Sequence, residues 1–304
     1  MRPDGPHPER GRFVRDQVDA LRALPGSSVE LYEFAPGARG LARAARDMHR
    51  RYAGERFDVV HAHFGLTAWP ALAVKARARA LTVHGTDLSH PRTRLATWAA
   101  LPTVGLLGAV SAALIQEIPG RRARARAQVL PCGVDMERFR PIPRERARAE
   151  LGLDAVQPCV LFPADPARSE KRHDRAEALA QAVGARLLTL GGVEPQRVPL
   201  LVNAANAVLV PSEREGFGLA VLEALACDVP VLATPVGVHR QVLDGLEGAL
   251  CAPWQLERWR GALEPRIAEQ DPHVDGRSRA ESFSAVRMAE RVADAWRSLV
   301  AGAG

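Results

Sequence analysis

Two glutamates, Glu215 and Glu223, flank the stretch Gly216-Phe217-Gly218-Leu219 within PSEREGFGLAVLEALA, residues 211–226. A carboxylate accepts hydrogen bonds from hydroxyls, and glycines let the backbone come close to a ligand. The preceding residues, NAVLVPS, read as a buried strand and the following ones as a helix. Strand, loop and helix in that order aim the free amides and positive dipole end of the helix at the loop's occupant. That geometry favours a phosphate or a polyhydroxylated sugar. The plainer reading makes both glutamates solvated charges at a helix end. His61 and His63 alternate along another strand and share a face, a spacing that suits metal. No third ligand accompanies them in the sequence, and satisfied structural histidines are the favoured reading. Ser111 has no partner pattern for nucleophilic catalysis and reads as structural.

Positioning such residues calls for parallel sheets. Short apolar runs alternate with longer amphipathic ones, the pattern of βαβ units. Strands are expected at 28–34, 57–63, 80–85, 104–111 and 127–134, with helices at 13–24 and 40–52. The segment CGVDMERFRPIPRERARAELGL, with prolines at 141 and 143, reads as a seam. Beyond it strands are expected at 159–165, 185–192, 206–212, 229–237 and 248–253, and a helix at 282–299 closes the chain. A length of 304 residues exceeds what one core usually serves. The expectation is an α/β protein of two tandem Rossmann-like domains, 1–140 and 141–304, facing a cleft.

The formal charge of +6 comes almost wholly from arginine, since Lys75 and Lys171 are the only lysines. Such a balance suits an anionic membrane, phosphorylated substrates or nucleic acid. Nucleic acid lacks a supporting motif or aromatic interleaving and is not expected as a partner. Cys132, Cys159, Cys227 and Cys251 lie far apart, which suggests neither zinc nor a disulfide framework and points to a cytoplasmic setting. No apolar run reaches the roughly 18 residues that span a bilayer, and the polar, proline-rich start is unlike a secretory signal. Membrane contact is then peripheral, at the inner face. The basic stretches 40–52 and 121–128 are read as solvated faces in preference to docking faces.

The glutamate pair resembles the signature of the retaining, nucleotide-sugar-dependent glycosyltransferases of the GT-B fold, in the group called family four. The match is Glu215-Gly216-Phe217-Gly218-Leu219-Ala220-Val221-Leu222-Glu223-Ala224. FDVVHAHFG, LTVHGTD, VLPCGVDMERFRP and VPVLATPVGVHRQVLDG resemble other family segments, so the likeness spans about residues 10 to 250. It implies that Glu215 holds hydroxyls of the donor sugar, while the amides of Gly216, Phe217, Gly218 and Leu219 approach sugar and diphosphate. Glu223 would hold the ribose. Arg168 and Lys171, in the loop FPADPARSEKR, would meet the diphosphate, although the family's usual glycine-arginine pair is replaced there by Pro163-Ala164-Asp165. Their plain reading is as surface cations. His84 matches a histidine near the reacting sugar, and Gly11 would be a surviving glycine of the first phosphate-facing loop. UDP, GDP and ADP all remain open as the nucleotide, and a glycan, a lipid-linked molecule or a small natural product as the acceptor. No Asp-x-Asp motif is present, so metal independence is expected, with no cofactor beyond the nucleotide sugar itself.

Departures from the family accompany the likeness. The family's usual first strand is missing before HPERGRFVRDQVDALRAL, Asp228 and Cys132 stand where glycine and asparagine are common, and only thirteen residues separate ARLLTLGG from NAVLVPS. A second reading follows, in which the chain is a non-catalytic nucleotide-sugar-binding or partner-binding relative without a complete acceptor side. A third, a sugar-nucleotide epimerase of similar fold, lacks its paired acid and base.

Overall fold

The computed structural model describes residues 11–302. The chain divides into two compact units, Met1–Gly133 together with Ala285–Gly304, and Val134–Ser284. Every strand pairing within a sheet is parallel.

In the first unit β1 (Phe57–His63), β2 (Ala76–Val83), β3 (Leu106–Ala109) and β4 (Ala127–Val129) lie side by side in that order. Among the described residues no strand borders the outer edge of β1. The inner strands are apolar on both faces, as a parallel sheet covered by helices requires, and Leu81, Val83, Leu107 and Ala109 are fully buried. The helix Ala285–Ala301 closes one face of this sheet. Its Met288, Val292 and Ala295 recur at helical spacing and pack with Leu21, Ala80, Leu106 and Leu130.

Three expectations are corrected here. The long C-terminal helix belongs to the first unit and not to the second domain, and the seam falls at Gly133 and not near residue 140. Gly133 is required at that seam, because a Cβ there would lie 2.7 Å from Ala285 Cα. Residues 28–34 form no strand. The segment is held by side chains instead of a ladder: Arg22 donates to Val29 O, Tyr32 Oη to Asp47, and Arg51 and Tyr52 to Glu30.

In the second unit β5 (Cys159–Phe162), β6 (Arg186–Thr189), β7 (Ala207–Val210), β8 (Val231–Ala233) and β9 (Leu250–Cys251) are ordered β6-β5-β7-β8-β9. The core joins Val160, Phe162, Leu209 and Leu232 from the sheet to Leu179, Trp259 and Leu263 from helices. The segment after the seam is bound into this unit. Asn203 accepts from Ile142 N at 2.8 Å and donates to Arg140 O at 3.1 Å, and Arg277 donates to the carbonyls of Met136, Phe139 and Ala226. Arg144 and Arg148 are 4% and 3% exposed. Both donate chiefly to backbone carbonyls, such as Ala205 O and Ala204 O, and Arg148 also to Asn206 Oδ1. Asp228, at the position where a glycine is common, adopts φ 55°. A short acidic side chain tolerates that conformation, and here its carboxylate accepts from the amides of Gly276 and Arg277 at 3.1 and 2.7 Å.

Candidate functional site

The order of the second sheet reverses at β5, since β6 lies on one side of it and β7 on the other. In open α/β sheets ligands bind outside the carboxyl ends of the strands at such a switch point. The loop leaving β5 carries Lys171, the loop leaving β7 carries Glu215, and the loop leaving β8 carries Thr234 to His239. The three loops are knit together there.

Lys171 Nζ donates to both oxygens of Glu215 at 2.7 and 2.6 Å, with the two side chains 14% and 10% exposed. Ser212 Oγ donates to the same carboxylate at 2.8 Å. Behind it Thr234 Oγ1 donates to Ser212 O at 2.5 Å, and His239 Nδ1 donates to Thr234 O at 2.8 Å. The loops of β5 and β7 are also tied by Glu213 N to Glu170 O at 2.9 Å and by the Arg172–Glu213 ion pair.

The glycine loop fits against the β8 loop with no spare room. Val238 N donates to Phe217 O at 2.7 Å. Gly237 has φ +57°, and a Cβ on it would stand 2.2 Å from Phe217 O. Gly218, at φ +105°, caps the helix Leu219–Ala226, and a Cβ on it would lie 2.4 Å from His239 Nε2. That imidazole is fully buried, its Nε2 has no hydrogen-bond partner, and burial lowers its pKa. It is therefore neutral, with the proton on Nδ1. Phe217 turns inward, its ring 5.9 Å from that of Phe283 and tilted by 59°, while Gly216 stays partly open. On the helix Leu219–Ala226 Glu223 is the one charged residue. It is half-buried and one turn beyond Leu219 on the same face, flanked by buried Leu222 and Ala224.

Arg168 is placed differently from Lys171. Its guanidinium donates to Glu170 Oε1 at 3.0 and 2.6 Å and is half-exposed, so the structure brings Lys171 but not Arg168 onto Glu215.

In the first unit the helix Arg12–Arg22 starts at Gly11, φ 70°. Its Phe13 ring lies 4.7 Å from the ring of His84, which follows β2. The amides of His84 and Gly85 donate to Asp87 Oδ1 at 3.0 and 2.9 Å, and that of Gly65 to Oδ2 at 3.2 Å. Burial raises the Asp87 pKa against the opposing pull of those amides. His84 Nε2 is 3.0 Å from His63 Nδ1, and His63 Nε2 is 3.4 Å from Gln17 Nε2. With Gln17 donating, His63 carries its proton on Nδ1 and His84 on its own Nδ1, which makes no hydrogen bond among the described residues. His61 is bonded to Thr82 Oγ1 at 2.8 Å and accepts from Trp296 Nε1 at 2.9 Å. Burial lowers all three histidines, His63 to about 4. The structural reading of His61 and His63 stands, and no metal-holding cluster of histidine, cysteine or carboxylate occurs among the described residues. Ser111 caps the helix Ala112–Glu117 by accepting from Leu114 N.

Sequence reasoning missed His239, the Ser212–Thr234 support and the His63–His84 contact. Only the last had a signal, since the face shared by His61 and His63 is also the side on which a neighbouring strand could end in His84.

Comparison with known proteins fits this geometry. The profile described as Glycosyltransferase Family 4 matches residues 2–138, and that described as Glycosyl transferases group 1 matches residues 157–280. A D-inositol 3-phosphate glycosyltransferase of Frankia alni is 31% identical over 289 residues, covering 75% of this chain and 70% of that protein. The chain belongs to glycosyltransferase family four. The Mycobacterium avium protein of the same description is 33% identical over 192 residues, and the aligned part is 45% of its length. The chain thus spans a little under half of that curated relative. Among solved structures, Anabaena HepE in complex with UDP and glucose superposes with a TM-score of 0.74 at 17% identity, covering 98% of each chain. That likeness establishes the GT-B fold, two Rossmann-like halves each with a parallel sheet.

Proposed function

We propose that this family-four chain transfers a sugar, with retention of anomeric configuration, from a nucleoside diphosphate donor to a hydroxyl acceptor. The observation that carries the reading is the Lys171–Glu215 pair at the switch point of the second sheet, beside the start of the helix that bears Glu223. Glu215 accepts hydroxyls of the sugar, and Glu223 those of the ribose. Lys171 and the amides from Gly216 to Leu219 face the diphosphate. Cleavage of the bond between anomeric carbon and phosphate oxygen leaves an oxocarbenium-like sugar and a diphosphate gaining charge. A fixed cation and fixed amides stabilise that charge as it develops, one such donor being worth about 10²–10³ in rate. The acceptor attacks from the face the diphosphate leaves, and the departing phosphate takes the acceptor's proton, so no protein base is needed. In the first unit His84 carries its proton on Nδ1, where it is offered to an acceptor hydroxyl. Arg168 reaches the phosphates only by leaving Glu170. The step is assigned no metal and no cofactor, and the chain a cytoplasmic setting. No helix among the described residues is long and apolar enough to cross a membrane.

UDP-glucose is the donor to try first, because UDP with glucose is bound in HepE, and D-inositol 3-phosphate the acceptor, because the curated relatives act on it. Release of UDP that depends on the acceptor, survives EDTA and yields an α-linked product by NMR is the expected outcome. A β-linked product, or turnover lost on chelation and restored by magnesium or manganese, refutes retention or metal independence respectively.

A further inference from the structure

Seven large hydrophobic side chains are exposed among the described residues, and three of them, Trp69, Leu95 and Trp98, lie together in the first unit. Leu95 and Trp98 project from the helix Pro91–Ala100, and Trp69 is set beside them by donating from Nε1 to Ala96 O at 3.2 Å. A shallow groove of about 310 Å³ between Leu88, Pro91, Leu95, Trp98 and Pro119 continues the apolar surface. Gly120 adjoins it, a Cβ there lying 4.0 Å from Trp98 Nε1.

Arginines surround this face. Arg92 and Arg94 stand on the same helix as Leu95 and Trp98, and Arg121 and Arg122 follow Gly120; all four are exposed and form no ion pair among the described residues. From residue 86 to 130 the only acidic residues are Asp87, which is buried, and Glu117. The other cations of the basic run are committed elsewhere, Arg124 to Ile118 O and Arg126 to the carbonyls of Val104 and Leu101. The competing basic helix, Ala38–Arg51, exposes no large hydrophobic residue, and its Arg50 and Arg51 pair with Asp47 and Glu30.

We infer that the face formed by Trp69, Leu95, Trp98 and the arginines Arg92, Arg94, Arg121 and Arg122 docks on an anionic lipid bilayer. Tryptophan is suited to the headgroup level, where one side of the ring is apolar and the N–H stays wet. Unpaired arginines around an apolar patch complement anionic headgroups. Self-association is disfavoured by the same charges, because two copies meeting on this face would set arginines against arginines. The inference does not depend on the glycosyltransferase reading, and its test needs no turnover.

The test is flotation of the full chain with vesicles of phosphatidylcholine alone and of phosphatidylcholine mixed with phosphatidylglycerol. Expected is partition onto the anionic vesicles only, weakened by salt, with a blue shift of tryptophan emission. Arg121→Ala with Arg122→Ala lowers the partition coefficient about fivefold for each arginine removed. Leu95→Ser with Trp98→Ser abolishes the emission shift and most of the binding, and Arg43→Ala with Arg46→Ala on the competing helix changes neither. If the serine pair melts early, the arginine pair still decides. Absence of partition onto anionic vesicles, equal loss from the competing pair, or a dimer that dissociates in Leu95→Ser with Trp98→Ser overturns the inference.

Discussion

Replacing Lys171 by methionine keeps the length of the side chain and removes its charge, leaving Glu215 with Ser212 as its remaining side-chain donor. The carboxylate is 10% exposed, so water replaces the lost ammonium poorly. Breaking a buried pair by removing one partner costs about 3 kcal/mol or more, whereas removing both partners costs less than the two single changes summed. Lys171→Met is therefore expected to destabilise the second unit by about 3 kcal/mol, or roughly 6–12 °C in Tm for a unit of this size. Glu215→Gln should cost somewhat less, because the amide oxygen still accepts from Ser212. The double variant should fall short of the sum by about 2 kcal/mol. Urea unfolding followed by tryptophan emission measures this, with Trp254 and Trp259 reporting on the second unit. Additivity within about 0.5 kcal/mol would refute the reasoning, since it means that the two side chains do not meet in solution.

Three further outcomes follow from the same geometry. Gly218→Ala forces a Cβ to φ +105° and against the His239 imidazole, and should cost about 2–4 kcal/mol, part of it recovered by adding His239→Ala; an unchanged Tm contradicts the close packing. Asp228→Gly relieves the positive φ but strips the acceptor from the Gly276 and Arg277 amides. A net loss of about 1 kcal/mol is expected in chemical unfolding, and a gain refutes the carboxylate's role. His63 is neutral in the folded chain because burial lowers it to about 4, so the unfolded chain takes up its proton first. Its contribution is fully present above pH 6.5 and is lost as pH falls from 6.5 toward 4, about 3 kcal/mol in all. Thermal melts should show His63→Gln falling less steeply between pH 7 and pH 5 than the wild type, and parallel curves contradict the assignment.

Much of this site was readable before the fold was known. The apolar runs around 159–165, 206–212 and 229–237 located β5, β7 and β8, and the glycine loop with its helix fell where the glutamate spacing put it. The start of β2 was hidden because Arg77 and Arg79 interrupt an alanine stretch that only pairing with β1 and β3 makes a strand. Residues 28–34 have strand composition, yet their side chains are spent on the helices around them, and composition does not report a missing ladder. The helical period of 285–301 marked a helix without saying which core would take Met288 and Val292, since amphipathicity names a buried face and no partner. His239 gave no signal at all: it matters because it fills the space that Gly218 leaves open, a relation between two strands' loops that no local pattern contains.

The most direct test of the donor site is calorimetric titration of the full chain with UDP, GDP and ADP, repeated on Glu223→Ala. Saturable binding of one nucleotide, weakened about 10–100-fold by loss of the charged ribose acceptor, is the predicted result. Binding of the same nucleotide with an unchanged dissociation constant in Glu223→Ala, or no binding of any of the three, would contradict the account.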